Sequence, residues 1–409
     1  MDAQMTRRGL LGTAAALTAL GTGAAAHAAP GSTSLPPVKE QGKRTGTYEE
    51  QVLAAPGDWG VANFRIPALA VAPNGDLLAA FDKRPWHGDS PAPNSIWQRR
   101  STDGGRTWGE PEVVRAGNES TVPGEKTGYS DPSYVVDRET GTIFLFCVYS
   151  KDAGIWDGVY GNDDEDRMVT SANLSVSYDS GLTWEHRSVT EVAKPEDCRA
   201  MFASSGAGIQ MRYGKHKGRL VQQYAGFFRD REDGQKVCAY SVYSDDHGET
   251  WQMGTPVGTE MDENKVAELS DGTLMMNSRE NVRTGHRWVA YSHDGGETWE
   301  DLHRDPSLTD PGNNAQLSRA YPDAPQGSAK AKVLLFSHAD HVPHDRLNGT
   351  VEISTDDGAT WERKRVFAPG ACQYSVIIPI GRDEFLLAYE GEQETIMIAR
   401  LDMDWILSR

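Results

Sequence analysis

The 409-residue chain is predicted to be all-β, a six-bladed β-propeller with four antiparallel strands per blade. Three observations lead there. An octapeptide pattern, Ser-x-Asp-x-Gly-x-Thr-Trp, occurs five times: STDGGRTW from Ser101, SYDSGLTW from Ser177, SDDHGETW from Ser244, SHDGGETW from Ser292 and STDDGATW from Ser354. The starts lie 76, 67, 48 and 62 residues apart, a unit long enough for four short strands and their turns. Between the copies run β-rich segments such as FRIPALAVAP, GTIFLFCVYS, GRLVQQYAGFF and KVLLFSHAD, bounded by Gly, Asp and Pro and without a sustained helical period. About 380 residues beyond the leader, at roughly 63 per repeat, make six blades, one more than the octapeptides.

The amino terminus stands apart from that pattern. Thr6-Arg7-Arg8-Gly9-Leu10-Leu11 precedes an Ala/Leu-rich stretch ending in Ala26-His27-Ala28. A charged segment, an apolar segment and a small-x-small site read together as an export signal over residues 1–28. The paired arginines point to the twin-arginine type, which carries folded proteins, with an ordinary secretory signal or a retained anchor as alternatives. The expected location is therefore secreted. Residues 29–47, rich in Pro, Ser, Gly and Lys, read as a flexible lead-in, and residues 48–409 as one propeller domain with no room for a carbohydrate-binding module.

Charge narrows the partners. The net charge of −18 becomes −19 without residues 1–28. So acidic a protein suits nucleic acid poorly, because that affinity rests on Lys and Arg neutralising phosphates. Any anion it binds needs a local cluster of positive charge. No stretch after the leader is long and apolar enough to span a membrane, and a monomer is the expected state. Cys147, Cys198, Cys238 and Cys372 are too few and too scattered for a disulfide framework or a zinc motif.

Each octapeptide follows a short strand, such as ANLSVS or GTVEIS. Its Asp can bond its own backbone in an Asx-turn, its Gly allows positive φ, and its Trp can pack back over the hairpin. The meaning is structural. The intervening strands carry the residues of chemical interest. Arg65 in NFRIPAL, Arg279 in LMMNSRE and Arg346 in HDRLNGTVEIS each adjoin an apolar run. A lone arginine there can snorkel, but three converging on one channel mouth need an anion, and a planar carboxylate fits their paired donors. In GACQYSVIIPI the apolar run reads as a core strand, with Pro379 marking an interruption or an edge. On periodicity alone Tyr374 there is a core aromatic, Asp89 in HGDSPAPNS a turn residue and Glu263 in MDENK a solvated acidic turn. The run GNDDEDR reads as a surface loop. His338, His341 and His344 in SHADHVPHD lack convincing metal spacing and are expected near the site rim.

The FRIP segment, the octapeptides, DSPAPNSIWQRRSTDGG, MDENKVAELSDG and NSRE together resemble the bacterial exo-sialidases (neuraminidases), from about residue 48 to 405. That resemblance implies a retaining glycoside hydrolase acting on terminal sialic acids of glycoproteins, gangliosides and oligosaccharides, without a cofactor. By position it implies that Arg65, Arg279 and Arg346 hold the substrate carboxylate. It makes Tyr374 the nucleophile, Glu263 its partner and Asp89 the general acid/base. Glu390 would orient the first arginine, Arg84 and Asp131 would meet hydroxyl and amide substituents, and Asp262 is a weaker rim candidate. Asp89 is expected to sit in an apolar setting made by Pro91 and Ile96, and the arginines to favour the Tyr374 phenolate. A sialic acid lectin, a trans-sialidase and a non-catalytic interaction platform remain as alternatives at this point.

Overall fold

The computed structural model describes residues 46–229, 236–341 and 344–408, without the side chains of residues 363 and 364. The expected export signal, and the lead-in up to residue 45, lie outside them.

Within the described residues the strands form six sheets, antiparallel except where Gly206–Ala207 pairs parallel with Ser133 and Tyr134, and each is ordered radially from an inner to an outer strand. The first blade runs Asn63–Val71, Leu77–Arg84, Ser95–Ser101 and Glu112–Arg115. The second runs Gly128–Val136, Ile143–Ser150, Ser171–Ser177 and Glu185–Ser188. The third is built from Cys198–Ala203, Leu220–Phe228, Val237–Ser244 and Gln252–Met253, and the fourth from Met261–Glu268, Leu274–Glu280, His286–Ser292 and Glu300–Thr309. Gln316–Arg319, Leu334–Ala339, Leu347–Ser354 and Glu362–Ala371 make the fifth.

The sixth blade joins the two ends of the chain. Ser375–Gly381, Glu384–Glu390 and Ile396–Asp402 supply its inner three strands, and Tyr48–Ala54 pairs antiparallel on the outside, Tyr48 opposite Leu401. Pro379 sits in the innermost strand, which pairs on one side only, so its missing N–H leaves no gap in the ladder.

The octapeptides fall at the turn from third to fourth strand in the first five blades. The sixth has no such turn, because its outer strand comes from the other end of the chain. At Ser244 the wiring is typical. Gly248 N–H donates to Ser244 Oγ (2.8 Å), Thr250 N–H to Asp246 Oδ1 (2.9 Å) and Thr250 Oγ1 to Asp246 Oδ2 (2.5 Å). The same bonds recur around Asp103, Asp179, Asp294 and Asp356. Hydrogen bonds to Thr183 and its backbone hold the Asp179 carboxyl down at about 2.

These turns also fasten each blade to the one before it. Gln51 Nε2 donates to Gly105 O, Gln98 Nε2 to Gly181 O, and Arg219 Nη1 to Gly295 O. His247 Nδ1 meets Asp137 Oδ2 at 2.7 Å, and Asp357 accepts both the N–H and the hydroxyl of Ser270. Trp251 packs edge-on against Phe144 and Phe146 of the second blade. Apolar burial between blades does the rest: Phe146, Tyr224, Tyr240 and Met201 form one such seam and Leu335, Ile377, Phe385 and Leu387 another. All four cysteines are buried free thiols.

Candidate active site

Inner strands begin, and second strands end, at one mouth of the central channel. Arg65, Asp89, Asp131, Glu263, Arg279, Arg346 and Tyr374 line a single cavity of about 410 Å³ there. Arg84 and Glu390 stand directly behind it, touching Asp89 and Arg65.

A β-bulge near the start of the inner strand aims several of these side chains. In the first blade the register slips between Arg65 and Ala68, in the second between Ser130 and Ser133, and in the fourth between Met261 and Asn264. Ile66 (φ 62°) and Asp131 (φ 62°) are left-handed at these slips, each followed by a proline. Positive φ is unfavourable for a β-branched isoleucine and persists only where the surroundings hold it. Glu390 does so. Its Oε1 accepts the Ile66 N–H at 2.6 Å, and its Oε2 accepts Nε and Nη2 of Arg65 at 3.0 and 2.8 Å.

The three arginines surround one phenol. The Cζ atoms of Arg65 and Arg346 lie 5.2 and 5.3 Å from the Tyr374 ring centroid, and Arg279 Nη1 is 3.4 Å from its hydroxyl. Arg279 Nη1 also donates to Glu263 Oε2 at 2.7 Å, while Arg346 Nη2 donates to Gly312 O at 2.7 Å. Tyr374 itself is 7 % exposed, fixed by backbone bonds of Gln373 and Glu390 across the first two strands of its blade.

Burial and the Glu263 charge push the Tyr374 phenol up, further than the three arginines pull it down. The phenolate expected from the arginines is therefore not the resting form, because a buried anion beside a carboxylate loses more than the arginines return. For Glu263 burial raises the carboxyl, but Arg279, the Tyr374 hydrogen bond and Arg346 outweigh it, and the net direction is down. The resting pair is thus a neutral phenol beside an ionised carboxylate. Such a pair is poised for one proton to move.

Asp89 departs from expectation. Its side chain is 83 % exposed and lies 3.3 Å from Arg84 Nη2, so no apolar setting surrounds it. Ile96 instead packs in the core between the first two blades. The carboxylate sits on the mouth-side loop between Leu77–Arg84 and Ser95–Ser101, where a substrate entering the cavity would cover it.

Three further residues escaped the sequence reading. Asp82 is wholly buried and accepts Nε and Nη2 of Arg84 (3.1 and 2.9 Å) through one oxygen and the Asp131 N–H (3.1 Å) through the other. Burial raises both Asp82 and Asp131. In LLAAFDKR this aspartate alternates like any strand residue, and only its place two before Arg84 hints at a pair. Arg283 lines the cavity beside Gly312, its charge disfavoured by burial and by Arg279 and Arg346. Lys265 lies deeper, 1 % exposed in the channel. Asp262, the weaker candidate, does line the cavity, and its nearest cation is Arg279 Nε at 3.7 Å.

Opposite the charged wall the lining is apolar, with Val148, Ile155, Trp156, Met201, Phe202 and Phe227. The cavity can thus hold a ligand with one carboxylate edge and a less polar flank. His338, His341 and His344 are not among its lining residues. His338 Nε2 meets Glu352 Oε1 at 3.1 Å, and with Asp340 these are the side chains among the described residues whose ligand atoms gather within 4.8 Å as a metal would need.

The model of the BNR repeat-like domain matches residues 75–384. A sialidase of Micromonospora viridifaciens is 51% identical over 365 residues, 88% of this chain and 54% of that protein. A sialidase of Bacteroides fragilis (strain YCH46) is 31% identical over 82% of this chain and 61% of its own length, so the chain spans little more than half of either relative. Among solved structures, the Hadza microbial sialidase Hz136 superposes with a TM-score of 0.77 at 27% identity, over 87% of this chain and 68% of that one. A leech intramolecular trans-sialidase superposes at 0.67 with 19% identity, over 84% and 68%, a likeness of fold.

Proposed function

The chain belongs to the BNR repeat-like family, in its sialidase-type six-bladed branch, and on that premise we propose that it is a retaining exo-α-sialidase. One observation carries the reading: a neutral buried phenol, an ionised glutamate and three arginines converge within a single cavity. Arg65, Arg279 and Arg346 bind the carboxylate of a terminal sialic acid, whose planar oxygens match their paired donors.

That carboxylate is attached to the anomeric carbon, and it governs the choice of nucleophile. An Asp or Glu attacking there would meet a like charge at about 4 Å, a repulsion of roughly 4 kcal/mol at intermediate dielectric. A neutral phenol avoids it, the exception sialidases make to the two-carboxylate rule. As the Tyr374 oxygen bonds to the anomeric carbon, its proton passes to Glu263, and the glycosidic oxygen leaves with a proton from Asp89. In the second step Asp89 takes a proton from water, the water oxygen replaces the phenolic oxygen, and Glu263 returns the proton to Tyr374. Two inversions give net retention.

Asp82 holds Arg84 and the Asp131 backbone where they can meet ring substituents, and Glu390 keeps Arg65 pointing at the carboxylate. Sialylated glycoproteins, gangliosides and oligosaccharides are the proposed substrates. Residues 1–28 are proposed as an export signal, residues 48–409 as a monomeric catalytic domain outside the cytoplasm. No helix among the described residues is long and apolar enough to cross a membrane. Release of the fluorescent phenol from an aryl sialoside tests the reading. Binding of sialosides without release above background would leave a lectin in its place.

A further inference from the structure

A lysine is buried in the channel close to the proposed nucleophile's strand, with no carboxylate in hydrogen-bonding contact among the described residues. Lys265 lies two residues after Glu263 on the inner strand Met261–Glu268 and is 1 % exposed. Its Nζ has two neutral partners, Ser204 Oγ from the third blade at 2.9 Å and Asn314 Oδ1 from the approach to the fifth at 2.8 Å. Among the described residues no Asp or Glu oxygen pairs with it. The space around its chain is filled: a Cβ on Gly206 would come within 3.3 Å of Lys265 Cε and 3.0 Å of Val376. An ammonium here gains little from its surroundings and loses its hydration.

The hydrogen bonds around it point the same way. Ser204 Oγ accepts the Asn264 N–H at 2.9 Å, and Lys265 Nζ is its other hydrogen-bonding neighbour among the described residues. A neutral amine can accept the Ser204 hydroxyl hydrogen while donating to Asn314 Oδ1, whereas an ammonium can only donate. The site therefore accommodates the neutral amine fully and the ammonium at a cost. Burial lowers Lys265 to about 7, against a weaker opposing pull from Glu263, so the change of charge falls within a working pH range.

The charged groups bearing on Lys265 are few. Glu263 precedes it on its own strand, Arg287 stands on the third strand of the same blade, and Asp131 on the inner strand of the second. Arg287 is engaged by Asn277 Oδ1, Asn313 O and Asp310. Glu263 in turn faces Arg279, Arg346, Tyr374 and Asp262.

We propose that Lys265 is a positioning residue for the protonation of Glu263: its ammonium keeps the glutamate ionised in acid, and its neutral amine leaves it a stronger base toward neutrality. The assignment rests on the sialidase reading, because it acts through the base that serves Tyr374. No atom of Lys265 touches substrate. Its effect is a through-space charge felt by Glu263, two residues away on the same strand.

The test is the pH profile of kcat/KM for the full chain on an aryl sialoside, compared with Lys265→Met and Lys265→Gln. Loss of the ammonium is expected to move the acidic limb upward by about half a pH unit or more, a threefold or greater loss on that limb, with little change on the alkaline side. Ser204→Ala removes the hydroxyl that supports the neutral amine and is expected to hold the ammonium to higher pH, lowering kcat/KM around pH 7 to 8 while leaving the acidic limb in place, which keeps the test available should either lysine variant misfold. An acidic limb shared by wild type and the folded lysine variants overturns the assignment, as does a Ser204→Ala profile that matches wild type around neutrality. So does a uniform loss at all pH values, which marks a merely structural lysine. A wild type without turnover overturns the sialidase reading itself and takes this assignment with it.

Discussion

Glu390 holds Arg65 with one carboxylate oxygen and the backbone of the next residue, Ile66, with the other. One wholly buried side chain thus fixes both a guanidinium and the strained turn that presents it. Glu390→Gln keeps the shape and removes the charge. Breaking one half of a buried pair costs about 3 kcal/mol of stability. We expect a lower unfolding midpoint in urea and a KM for sialosides raised by about tenfold or more, with kcat less affected. Unchanged KM would separate Arg65 from carboxylate binding.

Tyr374→Phe deletes a single oxygen from the cavity. If that oxygen is the nucleophile, a 2,3-difluorinated sialosyl donor labels the wild type at Tyr374, seen in a mass-mapped peptide, and leaves the variant unlabelled. Hydrolysis of an unactivated sialoside should fall by about a thousandfold or more, because covalent and proton-transfer steps are lost together. NMR of the wild-type reaction should show the α-anomer first. Labelling at another residue would reassign the nucleophile.

Lys265 also leaves a mark on stability. Its folded value near 7 lies below the roughly 10.4 of an unfolded lysine. Between those values the unfolded chain binds the extra proton, so stability contributed at this site rises with pH across the window. Relative to Lys265→Met, the wild type should gain up to about 1.4 kcal/mol per pH unit from pH 7 to 10. Parallel stability curves for the two proteins would show a lysine of ordinary basicity.

Left-handed glycines in this ring differ in what lies beside them, and the octapeptide glycine Gly248 is among the most crowded. A Cβ at Gly248 (φ +84°) would sit 2.2 Å from Phe144 Cζ of the preceding blade, while one at Gly75 (φ +89°) meets nothing within 4 Å. Gly75→Ala should cost about 1 kcal/mol for the backbone alone, and Gly248→Ala about 3 kcal/mol or more through strain and overpacking. Thermal unfolding of the two variants checks the difference. Equal losses would mean that the turn does not fasten the blades.

The ring should depend on its borrowed strand. A chain starting at residue 55 lacks Tyr48–Ala54 and leaves Ile396–Asp402 as a bare edge. We expect it to aggregate or unfold at markedly lower temperature than a chain starting at residue 46. Matching midpoints would show that the sixth blade is stable with three strands.

Much of this was legible because it repeats. An eight-residue turn with the same hydroxyl, carboxylate and glycine cannot recur five times by chance, and its spacing measures a blade. The arginines were legible as cations beside apolar runs, a placement that asks for an anion. What stayed hidden depends on partners far away in the chain. Asp82 looks like an ordinary polar strand residue until Arg84 and Asp131 meet it, and Asp89 looks sheltered only in sequence, because its apolar neighbours there are not its neighbours in space. The bulges at Ile66 and Asp131 were equally hidden, since a proline after each hints at irregularity but not at left-handed backbone. Lys265 in MDENKVAE reads as surface charge because nothing local says that its strand lines a channel.

Thr47 donates to Asp402 across 355 residues of sequence, at the seam where the first strand completes the last blade. A ribosome makes these two partners far apart in time. The first five blades can assemble as they emerge, but the seam cannot shut before residues near Asp402 have been synthesised. Until then Tyr48–Ala54 waits unpaired. Completion is therefore a single late event, and any compartment that receives the finished ring must either take it whole or start its assembly afresh.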